Sequence, residues 1–476
     1  MDHFLIFLAV VLPLIELLGV LAAVHAVMNA RTSQGATAWA IALVTLPFVA
    51  LFLYAVFGRN RFQGYVTMRS RRDARIHHQV DALWANAEQG SLIRQPATDA
   101  QRALVKLSEM PILNGNHSRL LIDGRETFDQ LFADIAAARS YLLVQFFTVK
   151  ADELGRRLKT ALIRKAAEGV QIYFLYDEIG SYKLPDSYTQ DLKQAGIQVT
   201  AFHSTRGRTN HFQLNFRNHR KIVVVDGQVA YVGGHNVGDE YLSRHPKYGR
   251  WRDTHVRIEG PIVKAVQFTF LEDWHWATRS MPEWDWQLTP SGTDGEAMLL
   301  IASGPADALE TCGLMFVQAI HMAQTRIWIA SPYFVPDIQI LSALKLAALR
   351  GVDVRILLPD KPDHRTVHLA SFSFYAKTLP AGIRLYRYTA GFMHQKVFLV
   401  DDHCAAVGSA NLDNRSFRLN FELTLLNFDP KTVQAVEAML IEDFDHSRPV
   451  TLEEYSERGF FFRLAVQSAR LLAPIL

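Results

Sequence analysis

Two histidine–lysine pairs carry the chemistry this chain can offer. His219 and Lys221 form one, with Asp226 five residues further on; His394 and Lys396, with Asp401, form the other. Each pair is followed by a small-residue turn ending in asparagine: Gly233-Gly234-His235-Asn236 and Gly408-Ser409-Ala410-Asn411. Side chains two apart on a strand share a face, so each segment presents an imidazole beside an ammonium. Two such segments facing one another suit a phosphodiester. Lys221, Lys396, Asn236 and Asn411 would donate to its non-bridging oxygens, where charge accumulates during attack. One imidazole would attack phosphorus and the other would protonate the departing alcohol. The symmetry of the motifs leaves open which histidine does which. No cofactor is required, and no carboxylate-rich cluster suggests a metal.

The elements that position these residues are themselves repeated. An apolar strand, Ser140 to Val149, is followed by a helical stretch and a second strand, Gly169 to Asp177. Arg326 to Val335 and Gly351 to Asp360 repeat that order. Later, Leu271-Glu272-Asp273-Trp274 is mirrored by Ile441-Glu442-Asp443-Phe444. Near-continuous apolar strands alternating with helices predict an α/β fold with a largely parallel sheet covered on both faces. The halves are placed at 115–290 and 296–447, related by approximate two-fold symmetry. Residues 59–114 read as a basic flank and helical connector.

The N-terminus is of a different kind. Two apolar runs, about 4–27 and 36–57, each reach the length a helix needs to cross a bilayer. The link between them permits only a helical hairpin. The first run has neither a basic leading segment nor a small-residue cleavage site, so an anchor is expected and not a removed signal. Arg59, Arg61, Arg69, Arg71, Arg72 and Arg75, against Asp73 alone, place the following flank, and with it the bulk of the chain, in the cytoplasm. Glu16 within the first run is costly if ionised, so a protonated or partnered carboxyl is expected. Residues 448–476 mix large apolar residues with Arg463 and Arg470. They suit either a helix lying on anionic lipid or one packed on the body.

Composition narrows the choice of partners. Across 476 residues the net charge is only +3, which argues against a strongly basic nucleic-acid scaffold. Hydrophobic residues make up 49%, with the excess concentrated at the N-terminus. Cys312 and Cys404 match no disulfide framework; both read as small buried hydrophobes in a reducing compartment. His235, His255 and His275 lack the spacing of a metal set.

The paired motifs resemble those of the phospholipase D superfamily. The surrounding text is closer still to bacterial cardiolipin synthases of the two-span type. It includes Arg217 to Lys221, Gly233 to Tyr241, Trp251 to Thr254, Gly391 to His394, Gly408 to Phe417 and Asn420 to Glu422, along with Thr37-Ala38-Trp39 in the hairpin. The resemblance implies two α/β/α sandwich halves and His219 as nucleophile, with His394 as general acid and then base. It implies transfer of a phosphatidyl group from one phosphatidylglycerol to another through a phosphohistidine, at the bacterial inner membrane. It also counts Asp226 and Asp401 in the catalytic motifs. On a strand they lie too far from the imidazoles to touch them, and anchoring a strand end or turn suits them better. Asp253 and Glu422, each about thirty residues after its histidine, are better placed to orient the rings. Ser409 either donates through its hydroxyl or fills a tight turn. Arg415 and Arg418 would steer anionic headgroups, and Tyr241 and Trp251 would wall the site. The same residues would also serve a phospholipase D releasing phosphatidic acid, or a membrane-tethered nuclease, although no nucleic acid is expected on charge. A homo-oligomer is compatible with the sequence.

Overall fold

The structure, a computed structural model, describes residues 2–58, 62–70, 74–202, 215–292 and 295–476. The expected basic flank falls largely outside them: Arg59, Arg61, Arg71, Arg72 and Asp73 are not described. The chain divides into two compact units, Met1–Arg71 with Ser204–Arg217, and Arg72–His203 with Asn218–Leu476.

The first unit is helical. Asp2–Asn29 is one long apolar helix, and its segment Ala9–Asn29 alone among the described residues is long and apolar enough to cross a membrane. The second apolar run is not a single helix. It breaks into Ser33–Thr45 and Pro47–Phe57, because Pro47 has no N–H to donate and its ring excludes helical geometry at Leu46, which takes φ −134° and ψ 54°. Thr32 starts the return by accepting from the Gly35 N–H at 3.0 Å. Gly19 permits the close helix contact: a Cβ there would lie 2.5 Å from the Leu43 carbonyl oxygen. Ala23, Ala26, Leu43, Ala50 and Tyr54 form the buried seam. His25, a polar break in the first run, bonds Tyr54 through Nδ1 at 2.8 Å. Val10, Leu14, Leu17, Leu21, Phe48 and Phe52 stay exposed, the apolar surface expected of helices solvated by lipid. Glu16 is also exposed and has no hydrogen bond or ion pair among the described residues, so of the two expectations a partnered carboxyl is not seen there.

The second unit holds two sheets of the same strand order. In the first half, Tyr141–Phe146, Gln171–Asp177 and Gln198–Phe202 run parallel. On the other side of Tyr141–Phe146, four strands follow antiparallel: Ile222–Val225, Val229–Gly233, Thr254–Glu259 and Ile112–Ile122. The second half repeats this with Arg326–Ala330, Asp353–Pro359 and Arg384–Tyr388 in parallel. Val397–Val400, Cys404–Gly408, Asn420–Asn427 and Glu296–Ser303 then follow antiparallel. Glu296–Ser303 also pairs with Ile112–Ile122, which joins the two sheets. The sheet is therefore mixed, not largely parallel as expected. The cause is a hairpin in each half, turning at Asp226 (φ 51°) with Gly227 (φ 64°), and at Asp401 (φ 47°). Asp and Gly tolerate that left-handed conformation, and the short loop enforces antiparallel pairing.

Apolar side chains fill both faces of these sheets. Leu142, Val144, Phe174, Val223 and Tyr231 belong to one buried cluster with Leu158 and Leu162 of the helix Glu153–Ala167. The helix Phe460–Leu471 buries Val466 and Ala469, and Phe462 meets Phe372 of the helix Arg365–Thr378 edge-on at 5.3 Å. Phe460, Phe461 and Leu471 remain exposed on it. Cys312 and Cys404 are free and buried.

Candidate active site

Each histidine is held by a carboxylate from the other half. His219 Nδ1 lies 2.9 and 3.0 Å from the two Glu422 carboxylate oxygens, and His394 Nδ1 lies 2.8 Å from Asp253 Oδ2. The two carboxylates singled out in the sequence are thus the ones beside the imidazoles, but the pairing is exchanged between halves. Strand neighbours explain the exchange. The His219 N–H donates to Phe421 O at 2.9 Å, next to Glu422, and the His394 N–H donates to Arg252 O at 2.8 Å, next to Asp253. The strand Phe392–Met393 runs parallel to Trp251–Arg252, which fixes the second register. With Nδ1 bonded to Glu422, His219 keeps its proton there and leaves Nε2 with a lone pair, whereas His394 Nε2 lies 3.1 Å from Lys396 Nζ.

The lysines lie on the same faces as their histidines. Lys221 Nζ donates to His219 O at 2.5 Å, and Lys396 Nζ lies 2.8 Å from His394 Nδ1. All four groups are buried. Burial is the main force on their protonation. It pulls His219 down to about 4, against the opposing pull of Glu422 and helped by the lysine charges. It pulls Lys221 to about 7 and Lys396 to about 8, with Glu422 and Asp253 opposing. His394 is lowered by burial and by Lys396, with Asp253 opposing. Burial by itself would raise both carboxylates, but the surrounding cations outweigh it and keep Glu422 and Asp253 ionised. Charges from both halves act on one another here, as Lys396 does on His219 and Lys221.

The two carboxylates are supported differently. Glu422 also accepts from Ser409 Oγ at 2.5 Å, Ser416 Oγ at 2.9 Å and Asn420 Nδ2 at 3.1 Å. Ser409 is therefore a donor and not only a turn residue. Asp253 accepts from the Thr254 N–H at 2.8 Å and from Trp251 Nε1 at 3.4 Å. Its neighbour Gly234 matches Ser409 in position, and a Cβ there would sit 2.0 Å from Asp253 Oδ1. The shorter carboxylate thus requires glycine where the longer one has serine.

Asn236 and Asn411 close the two turns. Asn236 accepts from the Thr148 N–H at 3.0 Å and donates to Tyr241 Oη at 2.8 Å. Asn411 Oδ1 is buried with no hydrogen-bond partner. Trp251 and Tyr241 wall His394, with ring centroids 5.1 and 6.3 Å from it, while Phe147 meets His219 edge-on at 5.0 Å.

Other residues singled out in the sequence sit elsewhere. Asp226 and Asp401, counted in the catalytic motifs, touch neither imidazole. Asp226 accepts from the N–H groups of Arg139, Ser140 and Tyr141, and Asp401 from those of Gln324, Thr325 and Arg326. Each ties the hairpin turn to the start of the neighbouring strand, at the end of its own strand remote from the histidine. Arg418 is held by Glu310 and Asp337, and Arg415 reaches the Ile475 carbonyl, so neither is a loose headgroup ligand. His235 and His255 are buried as a pair, Nδ1 to Nδ1 3.3 Å, and burial lowers both. His275 is not with them; its Nδ1 is 3.3 Å from Ser280 O.

Sequence reasoning missed the support behind the motifs. The residue between each His and Lys points to the opposite face of the strand and meets an aspartate of a core helix. Arg220 Nη1 donates to Asp273 Oδ1 at 2.9 Å, and Gln395 Nε2 to Asp443 Oδ2 at 2.7 Å. Arg220 also reaches the Glu422 and Ser303 carbonyls, and Asp443 takes a two-pronged contact from Arg252, so both ties cross between halves. The mirrored Leu-Glu-Asp-Trp and Ile-Glu-Asp-Phe segments carried this signal, since each supplies one of the two aspartates.

A family model described as "Cardiolipin synthase, PLD-like domain" matches residues 131–274 and 316–444. The chain belongs to this family. A second, described as "Phospholipase_D-nuclease N-terminal", matches 17–59. Cardiolipin synthase A of Pseudomonas putida strain GB-1 is 50% identical, over 99% of this chain and 98% of that protein. Cardiolipin synthase A of Pseudomonas entomophila strain L48 is likewise 50% identical, over 99% and 98%. The crystal structure of phosphatidylserine synthase from Haemophilus influenzae Rd KW20 has a TM-score of 0.59 at 15% identity, covering 80% of this chain and 100% of that one. That likeness is one of fold.

Proposed function

We propose that the chain joins two phosphatidylglycerol molecules into cardiolipin, releasing glycerol. As a cardiolipin synthase it is a phosphatidyltransferase acting on phospholipid. His219, neutral at working pH, attacks phosphorus through Nε2, and the bond from phosphorus to the glycerol oxygen breaks. His394 enters this step as an imidazolium, its charge balanced by Asp253 at Nδ1, and gives its second proton to that oxygen. The phosphatidyl group then rests on His219 while glycerol leaves. The terminal hydroxyl of a second phosphatidylglycerol takes its place, loses its proton to His394, attacks phosphorus and frees His219. Lys221 and Lys396, with Asn236 and Asn411, offset the charge that grows on the non-bridging oxygens. One phosphodiester replaces another, so no nucleotide is consumed. Asp253 and Glu422 hold the two rings in the reactive tautomer.

The observation that carries this reading is the crossed pair of His–carboxylate contacts around two buried lysines, in a chain similar over its whole length to cardiolipin synthases. Charge favours lipid over nucleic acid as the diester. The N-terminal helices support a multi-pass anchor with the catalytic body on the cytoplasmic side, where both lipids share one plane. The exposed aromatic face of Phe460–Leu471 suits contact with that same surface. Purified protein with phosphatidylglycerol vesicles and no added metal tests the reaction. Cardiolipin and glycerol in equal amounts are expected; phosphatidic acid as the main lipid product would make the chain a hydrolase.

A further inference from the structure

A small open cleft lies within electrostatic reach of His394, and neither His–carboxylate pair lines it. Tyr333, Pro362, Asp363, His364, His368 and Arg387 are among its lining residues. Its place follows from the sheet. Arg326–Ala330 runs antiparallel to Val397–Val400 with Ala330 opposite Val397, and the next residue, Ser331, lines a small pocket together with Lys396. Ser331 Oγ accepts from the Leu412 N–H at 2.9 Å, one residue beyond Asn411. The Asp363 carboxylate acts on both His394 and Lys396, as its charge favours their protonated forms.

The polar groups of the cleft are arranged around Asp363. Tyr333 Oη donates to Asp363 Oδ2 at 2.6 Å, and the His364 N–H donates to Oδ1 at 2.7 Å. A carboxylate has about four acceptor positions, so about two stay open to a ligand's hydroxyls. The Tyr333 oxygen can itself accept a further hydrogen bond. Opposite in charge, Arg387 is buried and lines the same cleft, and its field lowers His368 after burial has done so. Arg387 is held by the protein, donating to the Pro359 carbonyl and to Tyr375 Oη and facing Glu454 at 3.8 Å, so Asp363 and Tyr333 are the groups with free positions toward a ligand's hydroxyls.

We propose that this cleft is the headgroup subsite, where Asp363 and Tyr333 bind the free hydroxyls of glycerol. It would hold the departing glycerol as His394 protonates it, and the glycerol end of the second phosphatidylglycerol as it arrives. The proposal rests on the preceding reading, in which His394 serves the leaving and entering alcohol. It adds a reason for choosing a glycerol acceptor over simple alcohols and water.

Running the reaction backward isolates the subsite. Full-length protein in mixed micelles is given cardiolipin with glycerol, with ethanol or with ethanolamine, and kcat/KM is measured for each. In Tyr333→Phe and in Asp363→Asn, the glycerol-to-ethanol ratio of kcat/KM is expected to fall by about tenfold or more, chiefly through KM for glycerol. An unchanged ratio in Tyr333→Phe, which keeps both the side-chain shape and the Asp363 charge, would overturn the assignment and leave the overall reaction intact. So would a wild-type preference for ethanolamine over glycerol. Failure of the wild type to form phosphatidylglycerol from cardiolipin and glycerol would instead overturn the reaction on which the proposal rests.

Discussion

Replacing Glu422 by glutamine keeps the side-chain shape and removes one charge, in a carboxylate that is 0% exposed. Ser409, Ser416 and Asn420 donate to it on one side, and His219 Nδ1 meets it on the other. His219 Nδ1 meets both oxygens, while Ser416 and Asn420 donate to one and Ser409 to the other, so the glutamine NH2 must replace an acceptor that both a donor and the imidazole use. If its NH2 faces His219, it donates to Nδ1 and drives the ring proton onto Nε2, the atom that must attack. If its oxygen faces His219, a charge-assisted bond becomes a neutral one, a loss of about 1–2 kcal/mol, or roughly 5- to 30-fold. The wrong tautomer alone costs up to about 10⁴-fold where a histidine's acidic partner has become an amide. Glu422→Gln is therefore expected to lower kcat by about 10²- to 10⁴-fold with little change in KM, since lysine contacts to the phosphate remain. The assay is cardiolipin formation from phosphatidylglycerol in mixed micelles, with thermal unfolding as a check on folding. A folded variant with kcat within about threefold of wild type would refute the orienting role.

Four further outcomes follow from the same geometry. kcat/KM is expected to fall on the acid side as His219 protonates, toward its value of about 4, and on the alkaline side as Lys221 and Lys396 lose charge through about 7 and about 8. Asp253 raises the proton affinity of Lys396 and His394, so Asp253→Asn should move the alkaline limb to lower pH by about one unit, and a shift to higher pH would contradict the charge arrangement. Gly234→Ala should cost activity by pushing Asp253 off His394, seen as a fall in kcat much larger than for Ser409→Ala, which removes one of several bonds to Glu422. Asp443→Ala removes the two-pronged carboxylate from buried Arg252, leaving Asp123 at 3.4 Å as its remaining carboxylate, and should destabilise the catalytic unit by about 3 kcal/mol in denaturant titration, which an unshifted midpoint would exclude.

The sequence made the catalytic pairs legible because their chemistry is local: a histidine and a lysine two residues apart must share a face of a strand. The duplication was legible for a similar reason, as apolar strand and helix segments recur in one order. Partner choice across the halves was not, because Glu422 reaches His219 only through pairing of strands two hundred residues apart. Spacing alone pointed each carboxylate at the histidine of its own half. The mixed sheet was signalled by Asp226-Gly227 between two apolar runs, a hairpin turn that the alternation of strands and helices obscured. In the same way Pro47 marked the break in the second apolar run, which hydrophobic length alone could not register. The cleft at Asp363 had no sequence signature, since it is assembled from the loops after Arg326–Ala330 and Asp353–Pro359, the helix Arg365–Thr378 and Arg387 of a third strand.

The central claim is that His219 carries the phosphatidyl group between two lipids. The direct test is to incubate His394→Ala with phosphatidylglycerol labelled at phosphorus, quench in alkali to preserve phosphohistidine, digest, and locate the label by mass spectrometry. The account predicts label on the peptide containing His219 and none when His219→Ala is added to the same chain. Label on the peptide containing His394 in a His219→Ala protein would reverse the two roles. Cardiolipin formed by a chain that lacks His219 altogether would contradict the covalent route itself.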